Sequence, residues 1–271
     1  MAASPSASPS RLDIGDAIQS GWNAFSRSPW AFVLFTLLML AVQLVAQPLQ
    51  ERIGNGTVPS PNPLDWLLAL IGLVISVAGS IWASVGLVRG AWQALDGGKP
   101  TFGQLLRWDG PAVGRVFRSW LLLSVVIGVP LIAALLVGGG PLLLLAAQSA
   151  ASPQADWLQV LMIVFTLVLA VALGLVLVWI FYLSISQKFL FQIAVVEEQG
   201  PVANLKRGRQ LVDSQWPMVM ILQLIEGLVM LIGALACFVG LFVAWPLAVC
   251  ISTAAYRQLV DMQTAAALGD S

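Results

Sequence analysis

Histidine is missing altogether from the 271 residues. With it go the usual general base, the commonest metal ligand and every histidine-centred triad. Cysteine is almost as scarce. Cys237 and Cys250 stand in apolar surroundings without the spacing of a zinc site or a redox pair, so both read as small core residues. Charge is thin too, at 10% of the chain against about a quarter in soluble domains. Thirteen basic residues balance thirteen acidic ones, so no net positive field invites nucleic acid. No cluster of ligands or paired carboxylates suggests a metal site, a cofactor or a catalytic centre, and the chain is expected to be no enzyme.

What is abundant is apolar sequence. Hydrophobic residues make up 59% of the chain and its mean hydropathy is +0.89, more than a soluble fold could hide. The runs are long enough to cross a bilayer, which needs about 20 residues each. They predict an all-α polytopic bundle with six spans at about residues 30–47, 67–88, 120–147, 157–186, 217–235 and 237–256. The third is overlong, and Pro130 with Gly138-Gly139-Gly140-Pro141 predicts a kink or break near its far end. Residues 1–10, small, polar and rich in proline, read as a disordered tail with no signal peptide. Residues 11–260 form one transmembrane domain, and 261–271 a C-terminal tail.

The few charges report topology. Arg11 and Arg27 precede span one; Arg89, Lys99, Arg107, Arg115 and Arg118 lie between spans two and three. Lys188, Lys206, Arg207 and Arg209 lie between four and five, and Arg257 follows six. Only Arg52 falls on the other side. By the positive-inside rule both termini and the two long basic connections are cytoplasmic.

A unit recurs. Each odd span opens on a tryptophan (Trp30, Trp120 and Trp216) behind a charged segment, so the six spans read as three hairpins, each preceded by a cytoplasmic surface helix. The first surface helix is expected from Ser10, in capping-box spacing with Asp13. Ile14, Ile18, Gly21, Trp22 and Phe25 share one face that would lie along the membrane. The second should begin at Thr101, with Gln104 completing a capping box. Small residues every fourth position, Gly72, Ser76, Ser80 and Ser84 in span two and Ala236, Gly240, Ala244, Ala248 and Ser252 in span six, predict close helix packing. Pro246 should kink span six.

Glu226 is the residue that asks for a function. It falls near mid-depth of span five, where an acid costs about 2.5–3.5 kcal/mol on insertion scales. No basic residue lies within any span, so it should be protonated or face a wet cavity, with Gln223 on the same helical face and Gln43, Ser80 or Tyr182 as partners. Lys206, Arg207 and Arg209 are the candidates for contact with anionic lipid headgroups.

Ser28-Pro29-Trp30, the turn Lys99-Pro100-Thr101-Phe102 and the helix from Pro201 to Trp216 give a pattern over residues 12–260. It resembles uncharacterised bacterial six-helix membrane proteins related to the membrane domain of glycerophosphoryl diester phosphodiesterases. In that family hydrolysis belongs to a separate histidine-using domain, absent here, so the resemblance implies no activity and no site residue. It implies a bacterial inner membrane. The function expected is a non-enzymatic module organising membrane lipids or protein partners, including a homo-oligomer. The alternative is a transporter or channel for a small solute or protons using Glu226.

Overall fold

The structure, a computed structural model, describes residues 11–51, 62–151, 156–236 and 239–269, and its regular elements are all helices. Helix starts follow local chemistry. Asp13 caps α1 (Ile14–Ser26), accepting from the Asp16 amide at 3.0 Å. Proline takes a first-turn position, where its missing N–H costs nothing, in α2 (Pro29–Gln50), α3 (Pro63–Leu95), α5 (Gly110–Ala134), α9 (Pro201–Asp213) and α10 (Trp216–Leu235). Between them, α4 (Phe102–Leu106) carries the expected capping box, the Thr101 amide donating to Gln104 Oε1 at 2.8 Å. A π-helical turn, Leu135–Gly139, joins α5 to α6 (Gly140–Ala151). Then come α7 (Asp156–Ser186), α8 (Leu190–Val196) and, after α10, α11 (Leu241–Gly269).

Five of these segments are long and apolar enough to cross a membrane: Pro29–Gln50, Pro63–Leu95, Gly110–Gln148, Trp157–Ser186 and Trp216–Leu235. The sequence predicts six. The missing one is α11, whose apolar part ends at Tyr256 and gives way to Arg257 and Asp261 within the same helix. The expected tail after residue 260 is instead helical through Gly269. The break expected in span three is the π-turn, where Gly138 lets the backbone of α7 approach at Leu169. The tail 1–10, Ser10 and Cys237 lie outside the described residues.

Five helices close a ring: α3 packs on α11, α11 on α10, α10 on α7, α7 on α5, and α5 back on α3. Outside it, α2 lies along α3 and α11, and α8 is wedged against α3, α5 and α9 at one end. The serine stripe of α3 is a packing seam. Ser76 Oγ donates to Gln43 Oε1 at 2.7 Å, Gln43 Nε2 donates to Ser80 Oγ at 2.8 Å, and Ser80 and Ser84 bond back to carbonyls one turn earlier. At the other seam Gly233 meets Gly240 and Ala244 so closely that a Cβ on it would stand 2.8 Å from that of Ala244.

The first surface helix does not lie free on a membrane. α1 is docked on α11 and α3 with Ala17, Gly21, Ala24 and Phe25 buried, while Trp22, placed on the apolar face by periodicity, is exposed. The second is the single short α4, because the basic segment after it already belongs to α5.

Polar bonds tie these charged segments into one end of the bundle. Arg115 reaches the last carbonyls of α8, at 3.0 Å to Ala194 O, and Glu198 at 3.3 Å. Glu197 accepts from Arg207 at 3.1 Å and from Tyr256 Oη at 2.8 Å. Arg257 pairs with Asp96 at 2.6 Å, and Gln258 Nε2 donates to Asp16 at 2.6 Å.

Gly21 makes a close backbone crossing, since a Cβ there would lie 2.6 Å from Ile251 Cα. Gly21→Leu is therefore expected to lower stability by about 1–3 kcal/mol through overpacking, read as a drop in the detergent unfolding midpoint. Gly174→Ala, with open space around its Cβ, should leave that midpoint unchanged or raised.

Candidate functional site

Glu226 stands ten residues after Trp216, about 15 Å along α10 at 1.5 Å per residue. Ser252, which binds it, is only five residues before Arg257, and Lys188 follows the 30-residue segment Trp157–Ser186, so Glu226 lies inside the bundle and toward its charged end. Its carboxylate is buried but not alone. Lys188 Nζ donates to Oε2, and Ser252 Oγ of α11 donates to Oε1 at 2.8 Å. The expectation that nothing basic could pair with Glu226 is thus overturned. So are its expected partners: Gln43 and Ser80 bond each other, and the Tyr182 ring lies under the Arg209 guanidinium at 5.6 Å.

The charge pattern groups Lys188 with the cytoplasmic loops. It stands instead on the turn Gln187–Phe189 between α7 and α8, inside the bundle, its side chain 17% exposed. The turn can sit there because its backbone groups are satisfied: Gln187 N donates to Leu183 O at 2.9 Å and Leu190 N to Gln187 O at 3.1 Å. Behind it α8 buries Leu190 and Ile193, so the polypeptide stays in the interior until Glu197. A signal for this was present in the sequence. Lys188 is followed by an almost wholly apolar stretch, Phe189 to Val196, where a lone cation is flanked by core residues and not by a loop.

The ion pair forms part of the wall of a partly open cavity of about 560 Å³ between the helices of the five-helix ring. Residues of all five helices line it, with α8 and the Lys188 turn contributing at the charged end. Along each helix the lining runs away from that end: from Leu123 to Ile127 on α5, from Glu226 to Met230 on α10, and from Ser252 back to Trp245 on α11. Beyond the pair the walls are mainly aliphatic. Gln223, expected on the same face as Glu226, does line the same cavity, one turn earlier on α10, and Gln192 of α8 joins it. The side-chain carbonyl oxygens of Gln192 and Gln223 are both buried without a hydrogen-bond partner. Two unpartnered acceptors in residues that line the same cavity as a buried ion pair are costly in a dry bundle unless something polar enters.

The basic residues expected to hold lipid headgroups divide. Arg207 is committed to Glu197 and, at 2.6 Å, to Gln263 Oε1. Arg209 faces Asp213 at 3.9 Å and covers the Tyr182 ring. Lys206 is exposed. The structure therefore does not gather the three into one site. Cys250 is buried among Phe32, Phe35 and Leu87, as a core cysteine should be.

No family model matches the chain, and neither a curated protein nor a solved structure is significantly similar to it. Function has to be read from the cavity itself.

Removing one member of a buried pair strands the other charge. Glu226→Gln or Lys188→Met alone is expected to destabilise by about 3–5 kcal/mol, and the double variant to recover most of that loss. Unfolding midpoints of the four proteins in one detergent check it; additive losses would show that the pair is not coupled.

Proposed function

We propose that this chain is a multi-pass protein of a bacterial inner membrane, without catalytic activity, that takes a small solute into the cavity between its helices. The single observation that carries the reading is the ion pair inside the bundle, in the wall of a cavity of about 560 Å³, within the size range of small-molecule sites. Intramembrane charges of this kind face water-filled or ligand-filled space far more often than lipid. A module organising lipids or protein partners is the broader reading of the same bundle. The cavity and its unpartnered amides favour an internal ligand over a purely external partner.

Six crossings as three hairpins with both termini cytoplasmic belong to the same proposal. Its support is the antiparallel packing of α10 on α11, with Gly233 against Gly240 near their connection and Glu226 against Ser252 deeper in. Further support is the gathering of Arg115, Arg207 and Arg257 at one end. The apolar part of α11 would then complete the sixth crossing, shielded from lipid over much of its surface by α1, α2, α3 and α10.

Green fluorescent protein fused to either terminus in a bacterial host should fluoresce in both cases. Fluorescence from one terminus alone would mean an odd number of crossings. For ligand binding, a thermal-shift screen of neutral, anionic, cationic and zwitterionic solutes on the reconstituted protein should give a saturable rise in the wild type. The Lys188→Met/Glu226→Gln protein should lack it. A panel that shifts neither, or both equally, contradicts the cavity as a binding site.

A further inference from the structure

The charge balance of the cavity narrows its ligand. Lys188 and Glu226 cancel, and they are the charged side chains lining it. The other groups facing them are uncharged: Ser252 from α11, Gln192 from α8, Gln223 from α10, Ser84 from α3 and Ser184 from α7, with Leu123 on α5. A monoanion entering would leave the site with a net negative charge inside the bundle, and a monocation would leave it positive. Either is a buried uncompensated charge. A ligand carrying both signs keeps the sum at zero.

The geometry is suited to splitting the pair. Glu226 is held on the α10 side by Ser252, at 2.8 Å, and that bond survives if the lysine leaves. Lys188 stands on a turn and has a flexible four-carbon stem, so it is the partner that can swing. Two residues lining the same cavity, Gln192 and Gln223, have side-chain carbonyl oxygens buried without a hydrogen-bond partner, and Gln192 is only 5% exposed. Beyond them the wall is aliphatic, with Leu87, Ile127, Ile180 and Met230 along it.

We propose that the cavity binds a small zwitterion with an apolar side chain, its carboxylate received by Lys188 and its ammonium by Glu226 with the amide oxygens of Gln192 and Gln223. An aliphatic amino acid is the simplest member of the class. The inference rests on the reading of the cavity as a binding site and adds the ligand's charge.

Full-length protein in phosphatidylglycerol nanodiscs, titrated calorimetrically with three probes of one skeleton, tests it: leucine, its decarboxylated amine 3-methylbutylamine, and its deaminated acid 4-methylpentanoate. Leucine should bind saturably, and each single-charge probe at least about tenfold more weakly, because each leaves a buried group unpaired. Preference should invert with the charge of the site. Glu226→Gln is expected to favour 4-methylpentanoate, and Lys188→Met the amine. The wild-type comparison stands by itself if either variant fails to fold. Competition by phosphatidylethanolamine added to the nanodiscs would assign the same zwitterionic chemistry to a lipid headgroup, and no competition would leave it with the free solute. If the acid or the amine binds the wild type as well as leucine does, the zwitterion is wrong while the cavity stands as a site. If none of the three binds although other solutes shift the wild type selectively, the ligand class is again refuted. If nothing shifts it at all, the cavity reading falls with it.

Discussion

A charge buried inside a bundle of membrane-capable helices has to be answered from within the protein, and the Lys188–Glu226 pair is the answer around which this bundle is arranged. Each member accounts for an otherwise awkward feature of the chain. The Lys188 ammonium is what lets α10 carry an acid inside the bundle, and the Glu226 carboxylate is what lets the turn Gln187–Phe189, between α7 and the largely buried α8, carry a lysine there. Ser252 ties the pair to α11, so three separate parts of the sequence, residues 188, 226 and 252, depend on one another for polar satisfaction.

That arrangement is asymmetric along the bundle. At one end, charged segments are cross-linked by Arg115, Glu197, Arg207 and Arg257, and α8 fills the interior. From the ion pair toward the other end the interior opens into the cavity, and its walls turn aliphatic. A solute lodged there would have apolar surface along the walls and charge at one end. Desolvation of an apolar side chain along the walls and polar capture at the pair would then act on different parts of one ligand.

Much of this architecture was legible in the sequence. Helix starts at Pro29, Thr101, Pro201 and Pro217 are written in local chemistry, whereas α1 is capped by Asp13, three residues beyond the expected start at Ser10; apolar length alone located five membrane-capable helices. Glu226 with Gln223 was legible because a lone acid in an apolar run must be met by a polar partner or by water wherever the helix packs. The partner of Glu226 was not, for a physical reason. Lys188 is 38 residues away, and its depth depends on α8 packing inward and not on its own hydropathy. Trp22 misled in the opposite way. Periodicity assigns a face, but which residues of that face are covered was decided by how α1 seats Gly21 on Ile251. Of the headgroup candidates, Arg207 is held by Glu197 and Gln263 while Lys206 and Arg209 stay exposed, a division that no linear pattern of charges records.

The most direct test of the ion pair is carboxyl infrared difference spectroscopy of the wild-type protein against Glu226→Gln at neutral pH, in lipid nanodiscs. Loss of an ionised carboxylate band, with no change in the protonated carboxyl region, is the expected result, because Lys188 and Ser252 both donate to Glu226. Loss of a protonated carboxyl band would contradict it. Glu226 would then be a neutral acid, Lys188 an unanswered cation, and the charge balance assigned to the cavity would not exist.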